Sequence, residues 1–242
     1  MTHIIGAPTL DDALAALSRR VVQTEARREK TLVFCEDSLT LLAERAVLKE
    51  SGATFLTEVT TFARFLSDER RVLSKQGSVA AVSAILSECE GSLASFSANA
   101  AEAVYETVAQ LAASRVGSRE LREGAQKSEG MLRSKLLDLA LILDKYTEFL
   151  HEKALLDENG YLALLPEKLS SGALDGLNVI FFGFTSFTKQ GAEGIRAAVK
   201  YAKSVTGIFP AGKAEYYTNE SARTFRAACE EDPPTVSMAE SS

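Results

Sequence analysis

Histidine and cysteine are scarce in this chain, two of the first and three of the second in 242 residues. That scarcity excludes several chemistries. His3 stands in a short first strand and His151 near the end of a long helix, and neither lies beside a serine or cysteine elbow. No G-x-S-x-G occurs, so nucleophilic hydrolysis has no seat. His151 is accounted for by the negative end of a helix dipole, and a zinc site would need clustered ligands. Cys35, Cys89 and Cys229 have no paired spacing. They read as reduced, buried thiols of a cytoplasmic protein rather than a disulfide framework. No run approaches the ~20 apolar residues of a membrane helix, and the first residues, MTHIIGAPTLDD, lack the layout of a signal peptide. Positive charge is also in deficit: 33 acidic against 27 basic residues give a net charge of −6. A free-standing binder of the nucleic-acid backbone normally carries the opposite excess. A local basic groove, or a DNA contact shared with a partner, remains open.

What is present is an ordinary globular composition, 46% apolar and 25% charged. The chain is organised around Leu177 to Thr188, where Val179, Ile180, Phe181 and Phe182 read as a strand buried on both faces. Gly183 ends that strand and Thr188 caps the helix that follows to about Lys203. Earlier, His3 to Ile5, Thr31 to Cys35 and Thr54 to Val59 read as strands, separated by helices to about Arg28 and from about Leu39 to Glu50. Thr9 with Asp12 resembles a capping box at the start of the first helix. Val205 to Phe209 is a fifth strand, and Thr218 opens a last helix to about Glu230. Alternation of this kind predicts an α/β fold with a mainly parallel sheet of about five strands and right-handed crossovers.

Between the third and fourth strands only helical periodicity is found. Thr61 to Leu73 is one expected helix, Ser78 caps a second, and Ser118 opens a short charged one. Leu132, Leu136, Leu139, Leu143, Tyr146 and Leu150 form a continuous stripe along a helix from about Met131 to Glu152. The expected division is therefore a discontinuous α/β domain, residues 1–60 and 173–230, with an all-helical insertion at 61–172. Residues 231–242, EDPPTVSMAESS, read as a disordered tail or linker.

Ligands of open α/β sheets lie outside the carboxyl ends of the strands. A phosphate-binding loop there requires G-x-x-x-x-G-K-[ST]. Counting from Gly6, its last three positions fall on Asp11, Asp12 and Ala13. An anion stands where the lysine belongs, and two carboxylates repel a triphosphate. The same acids are favoured structurally at a helix N-terminus. After the fourth strand, where a nucleotide hydrolase wants an Mg²⁺-binding acid, the chain has Phe182-Gly183-Phe184. A DNA contact has more support. Thr61, at the head of Thr61-Phe62-Ala63-Arg64-Phe65, offers a hydroxyl at a helix start, and Phe62 or Phe184, with Thr185 beside it, faces the same end of the sheet. The alternative is that Thr61 caps a helix and both rings fill the core. Arg115, Arg119, Arg122, Lys127, Arg133 and Lys135 interleave with Glu120, Glu123 and Glu129, which reads as a solvated face.

Taken in order, IIGAPTLDDALAAL, LVFCEDSLTLLAERAVLKESG, FLTEVTTFARFL, LRSKLLDLALILDKYTEFLHEKALLDENGYLALLPEKL and VIFFGFTSFTKQGAEGIRAAVKYAKSVTGIFP resemble the front part of the AddB/RexB family. That family is the B subunit of the bacterial AddAB helicase–nuclease. The resemblance implies a P-loop-helicase-like α/β domain with a helical insertion. It implies a module of an ATP-dependent helicase/exonuclease for double-strand break repair and recombination, with DNA and the catalytic A subunit as partners and no membrane. Thr61 and Phe62 match a segment by which related helicases touch single-stranded DNA, although Ala63 replaces its histidine. The family's nuclease domain, with its Mg²⁺ and iron–sulfur cluster, falls beyond residue 242, so no cofactor is expected within these residues. With loop and acid missing together, the segment itself reads as an inactivated, DNA-steering and partner-docking module. A working ATPase with a divergent loop and a purely protein-binding scaffold are the alternatives.

Overall fold

The computed structural model describes residues 1–52, 54–66, 72–210, 219–229 and 232–239. In chain order the elements begin β1 (Thr2–Ala7), α1 (Leu10–Ala26), β2 (Thr31–Cys35), α2 (Thr40–Ser51), β3 (Thr57–Thr60) and α3 (Phe62–Leu66). A helical stretch follows: α4 (Lys75–Glu88), α5 (Ala101–Ala113), α6 (Ser118–Gln126), α7 (Gly130–Glu152), α8 (Glu158–Leu162) and α9 (Leu165–Lys168). The chain then completes its sheet with β4 (Asn178–Phe182), α10 (Lys189–Tyr201), β5 (Ser204–Pro210), α11 (Glu220–Ala228) and β6 (Thr235–Met238). Two compact units result, Met1–Ser67 with Leu164–Ser242, and Asp68–Ala163.

The first unit is built on a six-stranded sheet in the order β3-β2-β4-β5-β1-β6, with every pairing parallel. This is the α/β arrangement that the alternation of strands and helices predicted, with the helical stretch falling between β3 and β4. The sheet has one strand more than expected. Thr235–Met238, read from sequence as part of a disordered tail, pairs with β1 from His3↔Thr235 to Gly6↔Met238. The ladder hydrogen bonds offered by β1's open side order four residues whose own side chains are mostly exposed.

Both faces of the sheet are covered, and they differ in chemistry. Ala16, Leu17 and Val21 of α1 and Ala43 and Val47 of α2 pack on Val33, Ile180, Phe182 and Ile208, an aliphatic layer. The opposite face is aromatic. Eight of the twelve phenylalanines, Phe34, Phe62, Phe65, Phe181, Phe184, Phe187, Phe209 and Phe225, meet there in tilted, edge-to-face and stacked pairs. Gly207 makes room for them, since a Cβ there would meet the Phe209 ring at 2.4 Å. Three of the helices start where short polar side chains cap them: Thr9 accepts from the Asp12 N–H, Thr188 from Gly191 and Asn219 from Ala222. Thr218, expected to open the last helix, lies outside the described residues, and Asn219 is the cap.

The amino ends of the strands are tied by a polar bracket. Glu29 accepts from the Lys203 ammonium at 2.8 Å and from the Asn178 amide at 3.1 Å, and Asn178 accepts from the Ser204 hydroxyl at 2.6 Å. The Lys203 and Asn178 contacts hold the Glu29 carboxyl below the usual carboxylate range.

In the second unit, α4, α5 and α7 enclose a core of Val82, Ile85, Leu86, Val104, Val108, Ile142 and Tyr146. Ser74, rather than the expected Ser78, caps α4 by accepting from the Gly77 N–H. Ser78 is fully buried one turn later. The single helix expected from Thr61 to Leu73 is not formed. α3 ends at Leu66, residues 67–71 lie outside the described residues, and Val72 bridges Leu156. The stripe on α7 is buried at Leu139 and Tyr146 and partly buried at Leu136, Leu143 and Leu150, but its first member, Leu132, is 57% exposed. Within that stripe sits a buried acid, Asp138, which accepts from the Ala94 N–H at 3.0 Å and the Ser95 N–H at 2.6 Å. It ties the loop before α5 to the middle of α7.

Two outcomes follow from these polar ties. Replacing Asp138 by Ala removes the charged acceptor of two backbone N–H groups, so it should lower unfolding free energy by about 1–3 kcal/mol and speed amide exchange at Ala94 and Ser95. Denaturant titration with hydrogen exchange checks both. For Glu29 the folded-state pKa is depressed, so its contribution is present above the unfolded value of about 4.3 and lost as pH falls through the folded one. The stability difference between the native chain and Glu29→Gln should therefore shrink on acidification and vanish at the lowest pH. A constant difference across a pH series of urea midpoints would refute that assignment.

Candidate functional site at the carboxyl ends of the strands

The connection after β2 runs towards β3, whereas that after β4 runs towards β5, so the adjacent β2 and β4 form a topological switch point. Ligands of open α/β sheets sit in the crevice such a point creates. Here the crevice is filled. Gly183 follows β4 with φ +75, and its N–H donates to the Ile208 carbonyl at 2.9 Å. A Cβ on Gly183 would stand 2.4 Å from Cδ1 of Leu39, which precedes α2 and leans into the space. No sequence reading singled out Leu39. Its signal was weak, an apolar residue in the polar turn Glu36-Asp37-Ser38 after a buried strand.

Around this plug the expected DNA-contact residues are brought together in part. Phe62 and Phe184 stack on each other, with centroids 5.5 Å apart and planes 19° apart. Phe184 is buried and packs further on Phe187 at 4.7 Å, while Phe62 also meets Phe34 and is half-buried. Thr61 is buried and its hydroxyl accepts from the Arg64 N–H at 3.2 Å, so it caps α3. The Arg64 guanidinium pairs with Asp37 at 3.1 Å, both side chains exposed. Asp37 was legible as an acid just beyond a buried strand but was not picked out. Lys168 bonds the Phe65 carbonyl and lies 5.1 Å from the Phe65 ring centroid. Thr185 and Ser186 project to solvent. Cys35, at the end of β2, is buried beside the Thr40 hydroxyl, and burial pushes its thiol pKa up. A thiol held neutral this way is a poor nucleophile.

The residues matched to the phosphate loop lie one strand away, because β5 separates β4 from β1. β1 ends at Ala7 and α1 begins at Leu10, so Pro8 and Thr9 form the whole connection. Gly6 is no loop residue. It pairs with Phe209 on one side and Met238 on the other, and its carbonyl accepts from the Ala239 N–H at 2.8 Å. Asp12 turns inward: the Thr9 hydroxyl donates to its carboxylate at 2.7 Å, and the Asp12 N–H returns a bond to Thr9 at 3.1 Å. Asp12 and Ala13 are buried, while Asp11 is exposed in the first turn. A phosphate cradle requires several consecutive N–H groups aimed at one point. The two residues here, one of them a proline, leave no length for it.

Elsewhere, two of the six basic residues of the helical stretch engage acids, as expected for a solvated face. Arg119 meets Glu123 at 3.0 Å, and Arg122 pairs with Asp144. Among the described residues, no group of three or more His, Cys, Asp or Glu side chains is placed to hold a metal ion, and no helix is long and apolar enough to cross a membrane.

The family described as "ADDB, N-terminal" matches residues 18–232. Over 88 residues the chain is 38% identical to the B subunit of an ATP-dependent helicase/deoxyribonuclease from Listeria innocua serovar 6a, a match covering 36% of this chain and 8% of that protein. A protein of the same description from Listeria monocytogenes serotype 4a is 37% identical over 76 residues, 31% of this chain and 6% of its own length. The chain thus matches less than a tenth of each curated relative.

The filled crevice makes a specific prediction. Gly183→Ala combines a left-handed backbone with a 2.4 Å clash, and should cost about 1–3 kcal/mol of stability. Adding Leu39→Ala should relieve the clash but not the backbone strain. In a double-mutant cycle read by denaturant unfolding, the two changes are therefore expected to be less damaging together than their sum.

Proposed function

Because the chain belongs to the AddB N-terminal family, we propose that it is an inactivated helicase-like module of an ATP-dependent helicase/deoxyribonuclease acting in double-strand break repair and recombination. Its role in this reading is to steer DNA and to dock on the catalytic A subunit, in the cytoplasm. The family match and the printed names of the Listeria relatives support the parent complex. The observation that carries the inactive part is the two-residue connection from β1 to α1, with Asp12 folded back onto Thr9 where a phosphate-loop lysine belongs. Leu39 in the switch-point crevice supports the same reading from the other side of β5. Thr61, Phe62, Arg64, Phe184 and Thr185 remain the proposed DNA-facing set, with the exposed Arg64 and Thr185 as its outer members and the stacked rings as its support.

The measurement is calorimetric titration with Mg·ATP, where no saturable binding is expected. Micromolar binding that disappears in an Asp11→Ala, Asp12→Ala variant would instead establish a working divergent loop. For the steering role, photocrosslinking of forked DNA to the two-subunit complex should label residues near Arg64 and Thr185. Labelling confined to other regions would favour a scaffold that touches only protein.

A further inference from the structure

On the aliphatic face of the sheet, α2 buries Thr40, Ala43 and Val47 and leaves all three of its leucines exposed, Leu41 at 61%, Leu42 at 39% and Leu48 at 47%. Beside it, α1 buries Ala13, Ala16, Leu17 and Val21 but exposes Leu10 and Val22. Single apolar side chains on a surface are ordinary; here they gather along two adjacent helices. A groove of about 450 Å³ runs between them, lined among the described residues by Leu14, Ala15 and Ser18 of α1 and Leu42, Ala46 and Lys49 of α2. Its floor makes no polar demand, because the Ser18 hydroxyl is taken up by the Leu14 and Ala46 carbonyls at 3.0 and 2.9 Å. Ala15 and Ala46 are small, so a partner can seat deeply there. The rims are charged. Arg45 and Lys49 lie four residues apart on α2, and Asp11 stands in the first turn of α1. Among the described residues no ion pair engages any of the three.

An apolar floor between two helices, with charged rims, fits the ridge of a third helix. An extended peptide would find no sheet edge to pair with in it. A nucleic-acid backbone would meet the carboxylates of Asp11 and Glu50 and gain nothing from the leucines. We propose that the α1–α2 groove docks an amphipathic helix of the catalytic A subunit, its apolar ridge seated on Leu14, Ala15, Leu42 and Ala46 and its acidic flank against Arg45 and Lys49. The exposed Leu41 and Leu48 extend the contact along the outer side of α2. This inference rests on the docking role proposed above and gives that role a surface.

The test is hydroxyl-radical footprinting of the chain alone and in the two-subunit complex. Leu41, Leu42 and Leu48 should be oxidised in the free chain and protected in the complex. Leu42→Asp with Leu48→Asp, both at exposed positions, should keep the native circular dichroism and weaken assembly roughly tenfold or more in sedimentation. Arg45→Glu with Lys49→Glu should weaken it severalfold, and more at low salt than at high. Leu132→Asp, at an exposed position on α7, should change nothing. Protection of the three leucines without the A subunit overturns the proposal. So does a dimer of this chain that Leu42→Asp dissolves, which assigns the groove to a second copy. If the folded variants assemble with native affinity and the footprint lies elsewhere, the groove is not the docking face, while the docking role stands. If the native chain does not assemble with the A subunit, the docking role falls and this inference falls with it.

Discussion

Phe181 is the interaction on which the sheet unit most depends. From the centre of β4 its ring reaches Phe34 on β2, Phe62 on α3, Phe184 and Phe187 in the turn beyond the strand, and Phe225 on α11, all with centroids 5.6–6.5 Å away. Each such pair contributes about 0.5–1.5 kcal/mol beyond its buried area. The cluster also couples segments far apart in sequence, because residues 34, 62, 181 and 225 meet only when the parallel crossovers are complete. Parallel sheets need both faces covered. Here one face is closed by small aliphatic side chains of α1 and α2 and the other by interlocked rings, with Gly207 thinning β5 where Phe209 and Phe225 must fit.

That division of labour explains what happens at the carboxyl ends of the strands. A nucleotide site in such a fold needs an open crevice, a long glycine-containing loop and a strand-end acid. In this chain the aromatic layer continues past the end of β4 through Phe184 and Phe187, and Leu39 fills the remaining space against Gly183. The positive φ of Gly183 reverses the chain sharply enough to bring Phe184 back over Phe62. Apolar side chains occupy the positions where a nucleotide site of this fold would place polar groups. The same rings limit what DNA meets there: a base would have to replace an existing ring contact, whereas Arg64 and Thr185 are already at the surface.

Much of the fold was legible because local and global signals agree. The Val179–Phe182 run, the Thr188 cap and the alternation before Thr61 each follow from periods and cap chemistry that depend only on near neighbours. What escaped was tertiary. Thr235–Met238 carries no pattern of its own and becomes a strand because β1 offers unpaired backbone groups. Asp138 reads as a polar interruption of an apolar helix until the loop at Ala94–Ser95 arrives to use it. Ser74 and Ser78 both suit a cap by residue type. The one with extended backbone, Ser74, takes the role and leaves Ser78 to the core. At the candidate site, the aspartate at the position a phosphate loop gives to lysine was plain in the sequence. The shortness of the connection was not, because it depends on β1 continuing through Gly6 to Ala7.

The short connection constrains this end of the sheet more than the side chains at Asp11, Asp12 and Ala13 do. Asp11, Asp12 and Ala13 at the Gly, Lys and Ser/Thr positions would, on their own, be a matter of side chains that three substitutions could supply. A strand that runs to within two residues of its helix is a different obstacle, because Gly6 is held in register by β5 and β6 together. Opening a phosphate cradle would require releasing the Gly6 ladder bonds, the bond from Ala239 to the Gly6 carbonyl and the Thr9–Asp12 cap. Each is worth about 0.5–1.5 kcal/mol, and together they rival a sizeable fraction of a domain's net stability. The sheet's own pairing leaves no length for a phosphate loop here, whatever side chains stand at positions 11 to 13.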